Sequence, residues 1–200
     1  GEFVEELNKH YKEELINTIK HCSELQTVVN TASDYGELEW TSDEFVKVND
    51  KIRAKGYEIE AIYLMTPMQE GMLYHKLTNS ESTEYVVQGV FKVEQDIDEN
   101  LIKDSLELLA EKHEVLRTSI VYKDVSKPRQ VLIKGRTIEF INRSIDSKVE
   151  LEKIKFEDVK RGFDLQEDSL MRLINVRMDN NSYIIMTFHH IIMDGWCNSI

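Results

Sequence analysis

Cysteine, proline and positive charge are all scarce in this chain, and each shortage removes possibilities. The two cysteines, Cys22 and Cys197, stand near opposite ends of the 200 residues and form neither a disulfide framework nor a metal-binding spacing. That usage fits a reducing cytoplasm. Lys and Arg number 25 against 37 Asp and Glu, a net charge of −12, which argues against nucleic acid or an anionic membrane surface as partner. No apolar run is long enough to span a bilayer, and no signal peptide, internal repeat or low-complexity tract is visible. What remains, 41% hydrophobic and 31% charged residues, reads as globular and able to bury one good core or two small ones.

The stretch around which the rest is organised runs from Ser182 to Ser199. Its apolar part, residues 183–193, is rich in β-branched and aromatic residues and reads as a buried strand. It carries two adjacent histidines, His189 and His190, followed by Asp194-Gly195. Neighbouring side chains on a strand point to opposite faces, so the two histidines cannot both enter one pocket. One is expected to face a cleft and the other to pack behind it. The same divergence disfavours a metal site made of His189, His190 and Asp194. Cys197 reads as a small buried residue rather than a nucleophile, and His113-Glu114 as helix-end packing and capping rather than a catalytic pair.

The remaining elements follow from spacing. Val4, Leu7, Tyr11, Leu15, Ile19 and Cys22 recur with helical period, giving a helix over 1–22. Residues 23–56 read as a polar connector with a short helix after Ser42. From residue 57 a strand through Ile59, Ala61 and Tyr63 leads into Thr66-Pro67 and a helix to about Leu77. A strand over 85–93 precedes a helix capped by Asp98, with Leu101, Ile102, Leu106, Leu109 and Ala110 as its apolar stripe. Strands are expected over 116–122, 130–133 and 138–141, then a charged helix over 147–159. Last comes a hairpin of strands 171–178 and 183–190 about a turn Asp179-Asn180-Asn181. The fold class is α+β, a mixed sheet with flanking helices.

His189-His190-Ile191-Ile192-Met193-Asp194-Gly195 resembles the HHxxxDG signature of nonribosomal peptide synthetase condensation domains, in the chloramphenicol-acetyltransferase-like superfamily. Three more segments resemble that family in its own order. They are Thr66-Pro67-Met68-Gln69-Glu70-Gly71-Met72-Leu73-Tyr74-His75, Lys112-His113-Glu114-Val115-Leu116-Arg117-Thr118-Ser119, and Arg161-Gly162-Phe163-Asp164-Leu165. The resemblance implies that residues 57–200 are the N-terminal lobe of such a domain, with the C-terminal lobe absent and this stretch alone inactive. It also implies that 1–22 is the helical tail of a preceding epimerization-type domain and 23–56 an interdomain linker. Gly71 stands where the family often has arginine, and Lys112 and Ile120 where it often has arginine and phenylalanine. Gly71 and the ending Asp194-Gly195-Trp196-Cys197 look like the subtype accepting a D-configured donor.

The chemistry implied is an acyltransferase reaction, amide formation between a peptidyl thioester and an aminoacyl group on two carrier proteins. No cofactor is bound directly, and the substrates ride on phosphopantetheine arms. Carried over by position, His190 is the catalytic histidine and His189 the structural one. Asp194 is expected to accept hydrogen bonds or to pair with an arginine and so hold the loop, with Arg117 the best partner on this chain. A solvated strand-end charge is the alternative for Arg117. Gly195 either offers its N–H to an oxyanion, if a helix starts at Trp196, or serves only the turn. Two further readings stand: an epimerization domain of the same superfamily, and a catalytically silent scaffold that docks carrier proteins.

Overall fold

Small polar residues set in front of apolar-periodic stretches start each of the four α-helices described after residue 40. The computed structural model describes residues 2–24, 30–195 and 197, divided into a unit over 1–31 and a second over 32–200. The first unit is one helix, α1 (Glu2–Glu24), with no buried residue. Its apolar stripe, Leu7, Tyr11 and Ile19 included, is exposed, as is Cys22.

In the second unit Thr41 and Glu44 form a capping box at α2 (Ser42–Arg53), and Thr66 and Gln69 form another at α3 (Pro67–Thr78). Pro67 stands in the first turn of α3, where its missing N–H costs nothing. Asp98 caps α4 (Glu99–Lys112) by accepting from the Asn100 N–H, and Ser147 caps α5 (Lys148–Arg161). Among the described residues seven strands make two sheets. One is antiparallel, β1 (Glu58–Leu64) and β3 (Thr118–Val121) flanking β4 (Arg129–Lys134). The other has the order β2 (Val86–Val93), β7 (Asn181–His189), β6 (Met171–Met178), β5 (Glu139–Ser144). Only β5 and β6 in it run parallel. No helix among the described residues is long and apolar enough to cross a membrane.

The stretch read as a polar connector is folded from residue 32 onward. Trp40, Phe45, Val48 and Ile52 pack against Ile59, Ile62, Val121, Val131 and Ile133 of the three-stranded sheet. Glu37 fastens the entry: its buried carboxylate accepts from the Glu39 and Trp40 N–H groups and pairs with buried Arg129. Burial raises the Glu37 pKa, but Arg129 and those two N–H groups overcome it and hold the carboxyl below its usual value. The four-stranded sheet buries one face against α5 through Leu151, Ile174, Val176 and Ile185. Near the C-terminal end of β7, Phe188, Ile191 and Ile192 join Leu73 of α3 and Ile102, Leu106 and Ala110 of α4 in the largest cluster.

Element boundaries move by a few residues in several places, β5 most at its end (Glu139–Ser144 against 138–141), and three differences change the reading of the chain. The strand expected over 116–122 begins as a 3-10 turn, Glu114–Arg117, and β3 starts at Thr118. The hairpin turn is Asp179-Asn180 alone, because Asn181 already pairs with Met178. Asp179 takes φ 55°, which a short polar side chain tolerates. The last strand ends at His189, so His190 opens the following turn. On α4, Leu101 is exposed, and the buried stripe is Ile102, Leu106 and Ala110.

Candidate active site at the end of the central strand

Strand β7 has neighbours on both sides, and the two histidines at its end are clamped between them. The His189 N–H donates to the Leu170 carbonyl (2.9 Å) and the His190 N–H to the Tyr85 carbonyl (2.8 Å). Successive N–H groups thus turn to opposite neighbours. The side chains just before them divide accordingly: Ile185 and Thr187 look towards α5, whereas Ile184, Met186 and Phe188 belong with the α3 and α4 cluster.

His189 goes inward and is 3% exposed. Its ring meets Phe163 edge-on (6.4 Å between centroids) and lies 6.2 Å from Tyr85. Its Nδ1 accepts the Ile191 N–H at 3.1 Å, which assigns the ring proton to Nε2. Burial, aided by the nearby charges of Lys76 and His190, pushes its pKa down from 6.5 to about 4. At neutral pH His189 is therefore an uncharged brace for the turn that follows it.

His190 is half-buried. Its Nδ1 is buried yet has no hydrogen-bond partner among the described residues. Buried polar atoms are nearly always paired, so an unengaged nitrogen on an otherwise anchored residue marks a group with spare bonding capacity. The anchoring is thorough: Ile191 and Ile192 are buried, and the Ile192 N–H returns to the His189 carbonyl at 3.2 Å.

Asp194 is exposed, and its Oδ1 accepts from the Cys197 N–H (3.4 Å) with the Cys197 Sγ at 3.5 Å. It therefore fastens the start of the next turn. Arg117 is not brought to it. Its guanidinium is buried between α4 and the three-stranded sheet, where it donates to the Ala110 carbonyl (2.9 Å) and pairs with Glu60. Both expectations for Arg117, a partner for Asp194 and a solvated strand-end charge, give way to this internal tie. Gly195 is exposed, and a Cβ added there would meet nothing within 4 Å. A helix starting at Trp196 concerns a residue outside those described. Cys197 is exposed rather than buried.

Beside the loop lies an apolar cavity of about 280 Å³, lined among others by His113, Leu116, Met171, Met186, Met193 and Cys197. The segment around His113 and the histidine loop thus meet in space. Behind the site lies a cluster that the pattern reading missed. Arg172, with no exposed surface, pairs with Asp158 of α5, donates to the Gly162 carbonyl (2.7 Å) and lies 4.3 Å from the Phe163 ring centroid. Asp158 also accepts from Gln88 (2.8 Å) and from Thr187 on β7. The one signal was that Asp158 continues the inward spacing of Leu151 and Ile154 on α5, a charge on an apolar stripe.

Comparison with known proteins gives this arrangement a family. The family model described as "Condensation domain" matches residues 59–200. Bacitracin synthase 1 of Bacillus licheniformis is 32% identical over 204 residues, covering 98% of this chain and 4% of the relative. Tyrocidine synthase 2 of Brevibacillus parabrevis is 39% identical over 150 residues, covering 72% of the chain and 4% of the relative. Among solved structures, a four-domain nonribosomal peptide synthetase bound to AMP and glycine superposes with a TM-score of 0.64 at 21% identity. That match covers 70% of this chain and 11% of the synthetase. The starter condensation domain of rhizomide synthetase gives 0.63 at 13% identity, covering 70% and 36%. The chain belongs to the condensation domain family, and its fold is the one expected of a chloramphenicol-acetyltransferase-like lobe. It spans only about 4% of the length of these two curated relatives.

Proposed function

We propose that this chain is part of a condensation domain in a nonribosomal peptide synthetase, an acyltransferase that joins a carrier-borne peptidyl thioester to a carrier-borne aminoacyl group. The observation that carries the reading is His190, anchored through its backbone and its neighbours while its buried Nδ1 is left unengaged. The acceptor's α-amine has an ordinary pKa of about 8, so about a tenth is already neutral near pH 7, and freeing the rest costs only about 1 kcal/mol, so no strong base is needed. His190 orients the amine towards the thioester carbonyl. As the C–N bond forms and the C–S bond breaks, His190 carries the surplus amine proton towards the departing sulfur. His189 stays neutral and takes no proton in this scheme. Asp194 and Gly195 shape the loop, and the cavity beside them supports an apolar group near the reacting centre.

The finer assignments belong to the same proposal. The carriers upstream and downstream present their substrates on phosphopantetheine arms, and the reaction belongs to the cytoplasm. Gly71 and the Trp196-Cys197 ending favour a donor whose last residue is D-configured, and the segment 1–22 fits the tail of an epimerization-type domain. Membership of the condensation family does not favour the epimerization or docking-only readings. The test is His190→Ala in the synthetase that contains this chain, assayed by single-turnover amide formation with both carriers loaded. The expected loss is about 10²–10⁴-fold with carrier binding unchanged. Full activity in the variant removes His190 from the chemistry. Equal rates for donors of either configuration, in the same assay, remove the stereochemical assignment alone.

A further inference from the structure

Gln69 occupies the third position of α3, where its side chain closes the capping box: its Oε1 accepts the Thr66 N–H at 2.9 Å. That bond fixes which way the amide faces, and Nε2 must point away from the helix. It donates there to two acceptors, Gln130 Oε1 at 2.8 Å and the Ile191 carbonyl at 3.0 Å. Gln130 on β4 is oriented in turn, because its own Nε2 donates to the Leu64 carbonyl of β1 at 2.9 Å. The two amides form a chain that satisfies every bond in one orientation only. It starts on the three-stranded sheet and ends on the residue after His190.

From this we infer that Gln69 is a positioning residue for His190, holding the histidine loop by the Ile191 carbonyl while His189 holds the Ile191 N–H. The peptide groups flanking Ile191 are gripped twice, its N–H by His189 Nδ1 and its carbonyl by Gln69 Nε2. A rotation about that residue cannot release one grip without straining the other. The direction of His190 is thereby tied to the sheet that carries Gln130 rather than to its own hairpin alone. The rate consequence rests on the function proposed above; the contact itself does not.

Gln69→Glu isolates the tie. Glutamate is an ordinary third-position partner in a capping box and suits the positive end of the helix, so the Thr66 bond survives. Its second oxygen then meets the Gln130 and Ile191 oxygens, lone pair against lone pair. Gln130 can turn its amide to compensate, but nothing donates to the Ile191 carbonyl. Thr66→Ala is the complement, removing the cap hydroxyl and leaving the Ile191 contact alone. In the synthetase, Q69E is expected to lower the single-turnover rate about tenfold at saturating carriers, with half-saturation unchanged. Its melting temperature should fall no further than that of T66A, expected about 2–4 °C below the unaltered protein at a rate within about twofold of it. Equal proportional losses of rate and melting temperature in both variants, or a wild-type rate in Q69E, overturn the assignment.

A second readout needs no turnover. In isotopically labelled chain, Q69E should shift the Ile191 carbonyl carbon resonance and speed exchange of the Ile191 N–H about tenfold, whereas T66A leaves both in place. Unchanged signals in Q69E refute the contact. If the unaltered synthetase forms no amide, the proposed function fails while these signals still decide the role of Gln69. Should Q69E not yield folded protein, Gln69→Met removes the donor without adding charge; because it also removes the acceptor for the Thr66 N–H, it is read through the Ile191 signals alone, and unchanged signals there refute the contact.

Discussion

Replacing His189 by asparagine separates its role as a neutral brace from every other acid-sensitive group in the chain. Asparagine keeps an acceptor for the Ile191 N–H but does not titrate. In the native protein the ring is a base whose folded pKa, about 4, lies well below its ordinary 6.5. The unfolded chain therefore takes up the proton first. Stability from this residue is intact above pH 6.5, declines as the pH falls towards 4, and changes no further below that. At 1.36 kcal/mol for each tenfold in proton affinity, the whole effect is about 3 kcal/mol.

Urea unfolding, followed by the fluorescence of buried Trp40, measures it on both proteins across the range. Near pH 7.5 the native chain should be the more stable, by about 1–3 kcal/mol for the lost ring packing. That advantage should shrink by about 1 kcal/mol near pH 5.5 and by about 2–3 kcal/mol near pH 4.5. Carboxylates held below their usual values, such as Glu37 and Asp164, also lose stability in acid, but they are common to both proteins and cancel in the difference. A stability gap that stays constant from pH 7.5 to 4.5 would refute the buried, neutral assignment. Lys76 and His190 are the charges that act on the ring, so Lys76→Met should move the midpoint of the decline upward.

Asp158→Ala should cost about 3–5 kcal/mol in the same assay, because Arg172 is left buried without its counter-charge. Phe45→Ala should cost about 3–5 kcal/mol if residues 32–53 belong to the lobe; a loss below about 1 kcal/mol would return that stretch to the status of a linker.

Much of this architecture was legible because local signals and the buried face agreed. Thr66-Pro67 and Asp98 each announced a helix start, which the structure caps through the side chains of Thr66 and Asp98. The apolar run before His189 announced the central strand. The helix after Ser42 was legible, but the packing of residues 32–53 was not, because Trp40, Phe45, Val48 and Ile52 are few and diluted among charges, and Val121, Val131 and Ile133, which they meet, lie far along the chain. Arg117 and Arg172 show the same limit from the polar side. Each looks like an ordinary surface cation, and only the assembled fold buries it and supplies its partner, the more exposed Glu60 for Arg117 and the buried Asp158 for Arg172. Gln69 was read as part of a motif, but its second contact, to Ile191, is more than a hundred residues away and leaves no periodic trace.

The two histidines are alike in sequence and unlike in what surrounds them, and the contrast bears on why both are needed. A single histidine at this turn would have to brace the loop and offer a free nitrogen at once. A nitrogen that accepts a backbone N–H is committed, and burial deep enough to make that bond reliable also removes the ring from the physiological titration range, as at His189. Dividing the tasks leaves His190 half-exposed with Nδ1 unengaged, an arrangement that costs about 1–3 kcal/mol for the unpaired atom. Such a cost persists only where the surroundings over-determine the conformation. Here they do: Leu170 and Tyr85 hold the two backbone N–H groups, His189 and Gln69 hold the N–H and the carbonyl of Ile191, and Ile191 and Ile192 are buried. The rigidity lies in the neighbours, and one nitrogen of His190 is left unengaged; under the proposed function that nitrogen is the one that meets the acceptor amine.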